Sequence, residues 1–143
     1  MLVDANILLY AVDETSPFHP AARDWLSGAL NGSRRVGLPW MSLVAFVRIS
    51  THPRASLHPL QPAEATAFVD DWLAAGTAWI PHPGSAHAAL FASLVEQGGL
   101  TGNLVTDAHL AAIALEHGLE VVSADSDFAR FTGLRWSNPV ATG

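Results

Sequence analysis

Short apolar runs alternate along this chain with longer segments of helical periodicity, and that alternation is what most narrows the possible folds. Leu2-Val3 opens a run that continues to Ala11, beginning as a buried strand and interrupted by Asp4 and Asn6. Beyond Ser16-Pro17, apolar steps of three and four through Ala22, Trp25, Leu26, Ala29 and Leu30 predict a helix that Asn31-Gly32 stops. Val36–Pro39 reads as a short strand, and Ser42 is expected to cap a helix running to about Ser50. After the break at Pro59–Pro62, Ala63–Ala75 reads as a helix with Phe68 and Trp72 on one face. Thr77–Ile80 is the third strand, and His87–Gln97 is a helix closed by Gly98-Gly99. Thr106 or Asp107 is expected to open a helix that Gly118 closes. Leu119–Ser123 is a strand, Asp125–Phe131 a short helical turn, and Leu134–Trp136 a last strand. Strands that alternate with helices call for a mostly parallel central sheet covered on both faces, a three-layer α/β/α sandwich. The 143 residues fit a single domain, 1–143, without linker or repeat.

Composition excludes several chemistries. There is no cysteine, hence no disulfide framework, thiolate metal site or cysteine nucleophile. All seven basic residues are arginine, which removes every mechanism that requires a catalytic lysine. A phospho-receiver domain shares the layout but needs a lysine at a late strand end. A dehalogenase-like phosphatase needs Asp-x-Asp after its first strand, where this chain has Asp4-Ala5-Asn6. No apolar run reaches membrane-spanning length, and MLVDAN lacks the basic region of a signal peptide, so no membrane association and a cytoplasmic location are expected. Five tryptophans beside a charged fraction of only 14% predict apolar surface that meets another chain.

In open parallel sheets, ligands sit beyond the carboxyl ends of the strands. Asp4 falls at the end of the first strand, Asp125 and Asp127 directly after Leu119–Ser123, and Asp107 at a helix start. Each has an ordinary alternative: Asp107 as a helix N-terminal acid, Asp125 and Asp127 as an Asx-turn and a cap. Asp4 is harder to place so, because a carboxylate inside an apolar run needs a partner and no lysine exists to supply one. A hard divalent cation with oxygen ligands suits such a set.

Leu2-Val3-Asp4-Ala5-Asn6-Ile7-Leu8-Leu9-Tyr10-Ala11 resembles the opening of PIN-domain nucleases, and Thr106–Ala114 and Ser123–Phe128 resemble their third and fourth motifs. The order and spacing fit the VapC-type toxins of bacterial toxin–antitoxin pairs across nearly the whole chain. The resemblance implies a metal-dependent endoribonuclease that hydrolyses structured RNA, tRNA or rRNA, to 5′-phosphate and 3′-hydroxyl ends and thereby inhibits translation and growth. It implies that Asp4, Asp107 and Asp125 are catalytic and hold Mg²⁺ or Mn²⁺ with Asp127, and that Asn6 and Ser123 support them. It implies a small VapB-like antitoxin and a homodimer as partners. One position departs from the pattern: Ala45 stands where the family carries a second-motif glutamate, and no acid lies between Asp24 and Glu64. That departure motivates a rival reading, a PIN-like module that binds RNA or an antitoxin without cutting.

The net charge of −6 opposes a nucleic-acid partner unless a cation in the pocket meets the phosphate. Arg48 and Arg54 are candidate phosphate clamps, with Arg34 and Arg35 as an extension. His52, His58 and His109 are candidate substrate contacts, each also readable as structural, and His82 with His87 has poor zinc-site spacing.

Overall fold

The protein's structure, a computed structural model, describes residues 1–141; residues 142–143 of the span expected as one domain lie outside the described residues. Five strands, β1 (Leu2–Val3), β2 (Val36–Gly37), β3 (Ala78–Trp79), β4 (Val121–Val122) and β5 (Trp136–Ser137), form one sheet in the order β3-β2-β1-β4-β5. Every neighbouring pair is parallel, as the alternating pattern required. Six helices cover it: α1 (Ala5–Val12), α2 (His19–Leu30), α3 (Trp40–Ser50), α4 (Pro62–Ala74), α5 (His87–Gly98) and α6 (Asn103–His117).

Side-chain alternation divides the core into two layers. Leu2 pairs with Val121, and both face a cluster with Ala111, Ile113 and Phe128. Val3 pairs with Val122, and both face the opposite cluster with Ile7, Leu26, Leu43 and Phe46. Strands buried on both faces need continuous apolar residues, which explains why Leu2-Val3 and Val121-Val122 show no alternation. Phe46, wholly buried, packs edge-on against Trp72 at 4.8 Å and Phe68 at 6.3 Å, so the expected Phe68–Trp72 face closes this layer. At Gly37 an added Cβ would lie 3.0 Å from the Met1 carbonyl oxygen and 3.0 Å from Pro81, so any side chain there would have to push these neighbours apart.

The last strand, expected at Leu134–Trp136, lies at Trp136–Ser137, and three further boundaries shift. The first strand ends at Val3 and the rest of the Leu2–Ala11 run is helix, with Asp4 as its N-cap. Ser42 does not cap α3: Pro39 precedes the helix with extended backbone, and the buried Ser42 hydroxyl donates to the Val3 carbonyl at 2.7 Å. Helix α6 begins at Asn103, after Gly102 at φ 60°, because Leu104 and Val105 extend its packed face one turn earlier than expected. No helix among the described residues is long and apolar enough to cross a membrane.

Candidate metal centre

The strand order reverses at β1. The chain moves from β1 to β2 and β3 on one side, then crosses to β4 and β5 on the other. A crevice opens at such a point beyond the carboxyl ends of β1 and β4. Asp4 directly follows β1, and Ser123 directly follows β4.

Ser123, fully buried, is the hub of the site. Its hydroxyl donates to Asp4 Oδ2 at 2.7 Å and accepts from the Asp125 backbone N–H at 3.0 Å and from Asn6 Nδ2 at 3.0 Å. Asn6 also donates to Asp4 Oδ2 at 3.3 Å, while its Oδ1 accepts from the Ala124 N–H at 3.1 Å. Asp4 Oδ1 accepts from the Ala5 N–H at 2.8 Å as the cap of α1. One network therefore ties the end of β1 to the end of β4. Asp125 Oδ1 accepts from the Asp127 N–H at 2.9 Å, opening the 3-10 turn Ser126–Arg130.

Asp107 comes from the other side, in the second turn of α6, too far into the helix to serve as its N-cap. One carboxylate oxygen from each of Asp107, Asp125 and Asp127 lies within 4.8 Å of the others, and all three residues are partly buried. Burial, and then the charges of Asp125, Asp4 and Asp127, push the Asp107 carboxyl up to about 6, against an opposing pull from Arg130. Burial also raises Asp4, opposed by the Ser123 and Ala5 hydrogen bonds and assisted by Asp125. Mutually repelling oxygens at this spacing fit a hard divalent cation, which takes oxygen ligands and relieves the repulsion.

The structure thus brings together Asp4, Asn6, Asp107, Ser123, Asp125 and Asp127. It does not join Arg48 or Arg54 to them: both are exposed, with no hydrogen bond or ion pair to the acids among the described residues. Arg48 is six residues beyond Ser42, about 9 Å farther along the α3 axis. It lines a groove with Trp40, Val44, Val69 and Asp70. Arg35 does not extend an Arg48 patch; it lies 4.0 Å over the Trp79 ring. His109 pairs with His87 at 2.9 Å and bridges α5 and α6. Arg130 went unnoticed in the sequence; it donates to Asp127 Oδ1 at 3.2 Å, the only cation ion-paired to these acids among the described residues. Its signal was the three-residue spacing from Asp127.

A parallel sheet with clustered carboxylates at its switch point defines a class of acidic, cation-binding α/β proteins. Comparison with known proteins narrows the class. The PIN domain family matches residues 1–134. Ribonuclease VapC37 of Mycobacterium tuberculosis (strain ATCC 25618 / H37Rv) is 49% identical over 140 residues, spanning 98% of this chain and 97% of that protein. Ribonuclease VapC43 of the same strain is 39% identical over 140 residues, spanning 98% and 95%. VapBC2 from Rickettsia felis, solved bound to a DNA fragment from their promoter, superposes with a TM-score of 0.69 at 18% identity over 96% of each chain, a likeness of fold. This chain belongs to the PIN-domain family, in its VapC ribonuclease branch.

Proposed function

We propose that this protein, acting as one domain, is a metal-dependent endoribonuclease and the toxin of a toxin–antitoxin pair, cutting structured RNA such as tRNA or rRNA to stop translation and growth. The convergence of the Asp107, Asp125 and Asp127 oxygens carries this reading, in a chain nearly half identical to a named ribonuclease. Asp107, Asp125 and Asp127 would hold Mg²⁺ or Mn²⁺, with Asp4 beside them. A cation held there would supply Lewis acidity and would screen charge on the phosphate.

The chain's own residues do the rest. Ser123 and Asn6 fix the Asp4 carboxylate by three hydrogen bonds counted with their mutual contact, so it needs no rearrangement when substrate arrives. The N–H of Asp127 holds Asp125 in its turn. Arg130 keeps one cationic donor at the pocket mouth, where it partly offsets the field that repels phosphate. Arg48 and Arg54, both exposed, are assigned as phosphate contacts.

Exposed Trp40 and Val44, one turn apart on α3, supply apolar surface for a partner chain, either a second copy or a small antitoxin. The solved Rickettsia felis VapBC2 complex supports the antitoxin. An antitoxin arginine entering the carboxylate cluster would silence it by displacing the cation.

Cleavage of total RNA by purified, antitoxin-free protein, with Mg²⁺, Mn²⁺ or EDTA and alongside Asp107→Asn, tests the reading. Discrete fragments that require metal and vanish in the variant support it. A folded protein that binds RNA or a small partner and never cuts would replace it with the binding-module reading that Ala45 motivates.

A further inference from the structure

Three arginines gather at the end of this sheet opposite the Asp4, Asp107, Asp125 and Asp127 cluster. Leu2 is in register with Val121, and Val121 with Trp136, so the preceding residues Met1, Glu120 and Arg135 line up at the amino ends of β1, β4 and β5. Backbone hydrogen bonds from Leu2 N–H to Glu120 and from Val121 N–H to Arg135 hold that row. Leu2 is also in register with Gly37, which puts Arg34-Arg35 at the same end, just before β2. Three of the seven arginines therefore share one rim, and all three are exposed. Met1 to Asp4 is three residues, so about 10 Å of extended chain separates this row from the nearest site acid.

The guanidinium groups of Arg35 and Arg135 are held in place. Arg35 lies 4.0 Å over the Trp79 ring, which also meets His117 edge-to-face at 5.5 Å. The Trp79 indole N–H is buried without a partner, so stacking rather than hydrogen bonding positions that ring. Arg135 donates one N–H to the Gly118 carbonyl at 2.8 Å, where α6 ends. No carboxylate pairs with Arg34, Arg35 or Arg135 among the described residues. The acid in the row, Glu120, accepts from the Ser137 hydroxyl at 2.7 Å. Burial and then Arg34 lower the Met1 ammonium, Glu120 opposes them, and Arg135 adds a smaller downward pull.

We infer that this rim binds the phosphate backbone of RNA, as a contact on the substrate assigned under the ribonuclease reading and remote from the carboxylates. Planar guanidinium forks with unspent donors match phosphate oxygens. The rim is an open row spread over four strands, β2-β1-β4-β5, with its arginines at the two ends, which suits a polymer of phosphates rather than a single enclosed anion. A chain of net charge −6 repels a polyanion over most of its surface, so an attractive end helps select how the RNA lies on the protein.

The test is equilibrium binding of a fluorescein-labelled RNA hairpin in EDTA, which prevents metal-dependent cutting. Each lost phosphate contact removes about 0.7–0.9 from the slope of log affinity against log salt. Between about 50 and 200 mM salt, wild-type affinity should therefore fall about tenfold more than that of Arg34→Gln/Arg35→Gln. Arg34→Gln alone, which breaks no packing, should show about a threefold difference, and Arg34→Lys/Arg35→Lys should restore most of the slope. Unchanged slope and affinity in folded variants would overturn the rim, as would wild-type binding that is absent or insensitive to salt. Unchanged RNA affinity with altered self-association in sedimentation would overturn it too, making the rim an interface between copies. Cutting of the same hairpin after Mn²⁺ addition reports separately on the ribonuclease reading.

Discussion

Asp107→Asn should make the metal-free protein more stable at neutral pH while making it useless as a cation site. Asp107 is raised to about 6 by burial and by Asp125, Asp4 and Asp127, and its side chain makes no hydrogen bond among the described residues that asparagine would forfeit. In the unfolded chain the same carboxyl titrates near 3.8. The folded state therefore binds this proton more tightly, and the group's contribution to stability is fully present below about pH 4 and lost as pH rises through about 6. The full shift corresponds to about 3 kcal/mol. Asp107 is partly in water, and solvent screening leaves about 1–1.5 kcal/mol of that. For a chain of this size that is a rise of about 3–6 °C in Tm. Thermal unfolding in EDTA should show that gain at about pH 7.5 and almost none at about pH 4. Saturating Mn²⁺ should reverse the order, since ligand at about 100 times its Kd adds about 2.7 kcal/mol to the wild type. A variant less stable than wild type in EDTA at neutral pH, or a difference that does not change with pH, would refute the account of crowded carboxylates.

Ser123→Ala removes a buried hydroxyl that serves Asp4, Asn6 and the Asp125 N–H. It should cost about 1–3 kcal/mol in chemical denaturation. It should also raise Asp4 further, so Mn²⁺ affinity measured calorimetrically declines more steeply toward acid pH than in the wild type. Arg130→Gln removes the cation that competes for Asp127, and the same calorimetry should find tighter Mn²⁺ binding; weaker binding would make Arg130 part of the site's scaffold. Phe46→Ala empties the centre of the Phe46–Phe68–Trp72 cluster and should cost about 3–5 kcal/mol with an unchanged denaturant slope.

Local pattern made the layers legible and left the contacts between them hidden. Leu2-Val3 and Val121-Val122 announced strands buried on both faces, and Gly118, at φ 67°, stopped α6 as expected. Asp4, Asp125 and Asp127 could be placed after strands, and Asp107 near a helix start, because ligands of a parallel sheet gather beyond the carboxyl ends of its strands. The start of α6 was misread because Thr106 and Asp107 look like caps, while the packing of Leu104 and Val105 decides where the helix begins. Ser42 misled for the same reason, since its hydroxyl is used by the Val3 carbonyl. The Asp127–Arg130 pair depends on a 3-10 turn that periodicity does not register, and His87 meets His109 across 22 positions that only the fold closes.

The vacancy at Ala45 acquires a physical meaning from the same geometry. Ala45 lies one turn beyond Ser42, whose hydroxyl bonds to the carbonyl beside Asp4, so an acid there would add to the charge around Asp4. Asp107, Asp125 and Asp127 already bring oxygens within 4.8 Å of one another, and burial, then Asp125, Asp4 and Asp127, push Asp107 up to about 6. Another carboxylate would increase that repulsion in the metal-free protein and deepen the well for a cation. With alanine there, both quantities should shift in the opposite direction: less repulsion in the metal-free protein and weaker cation affinity. Mg²⁺ keeps several waters and usually takes one or two carboxylates from protein. The remaining acids supply at least that number, so Ala45→Glu should tighten Mn²⁺ binding measured calorimetrically; unchanged affinity would refute the electrostatic reading of that position.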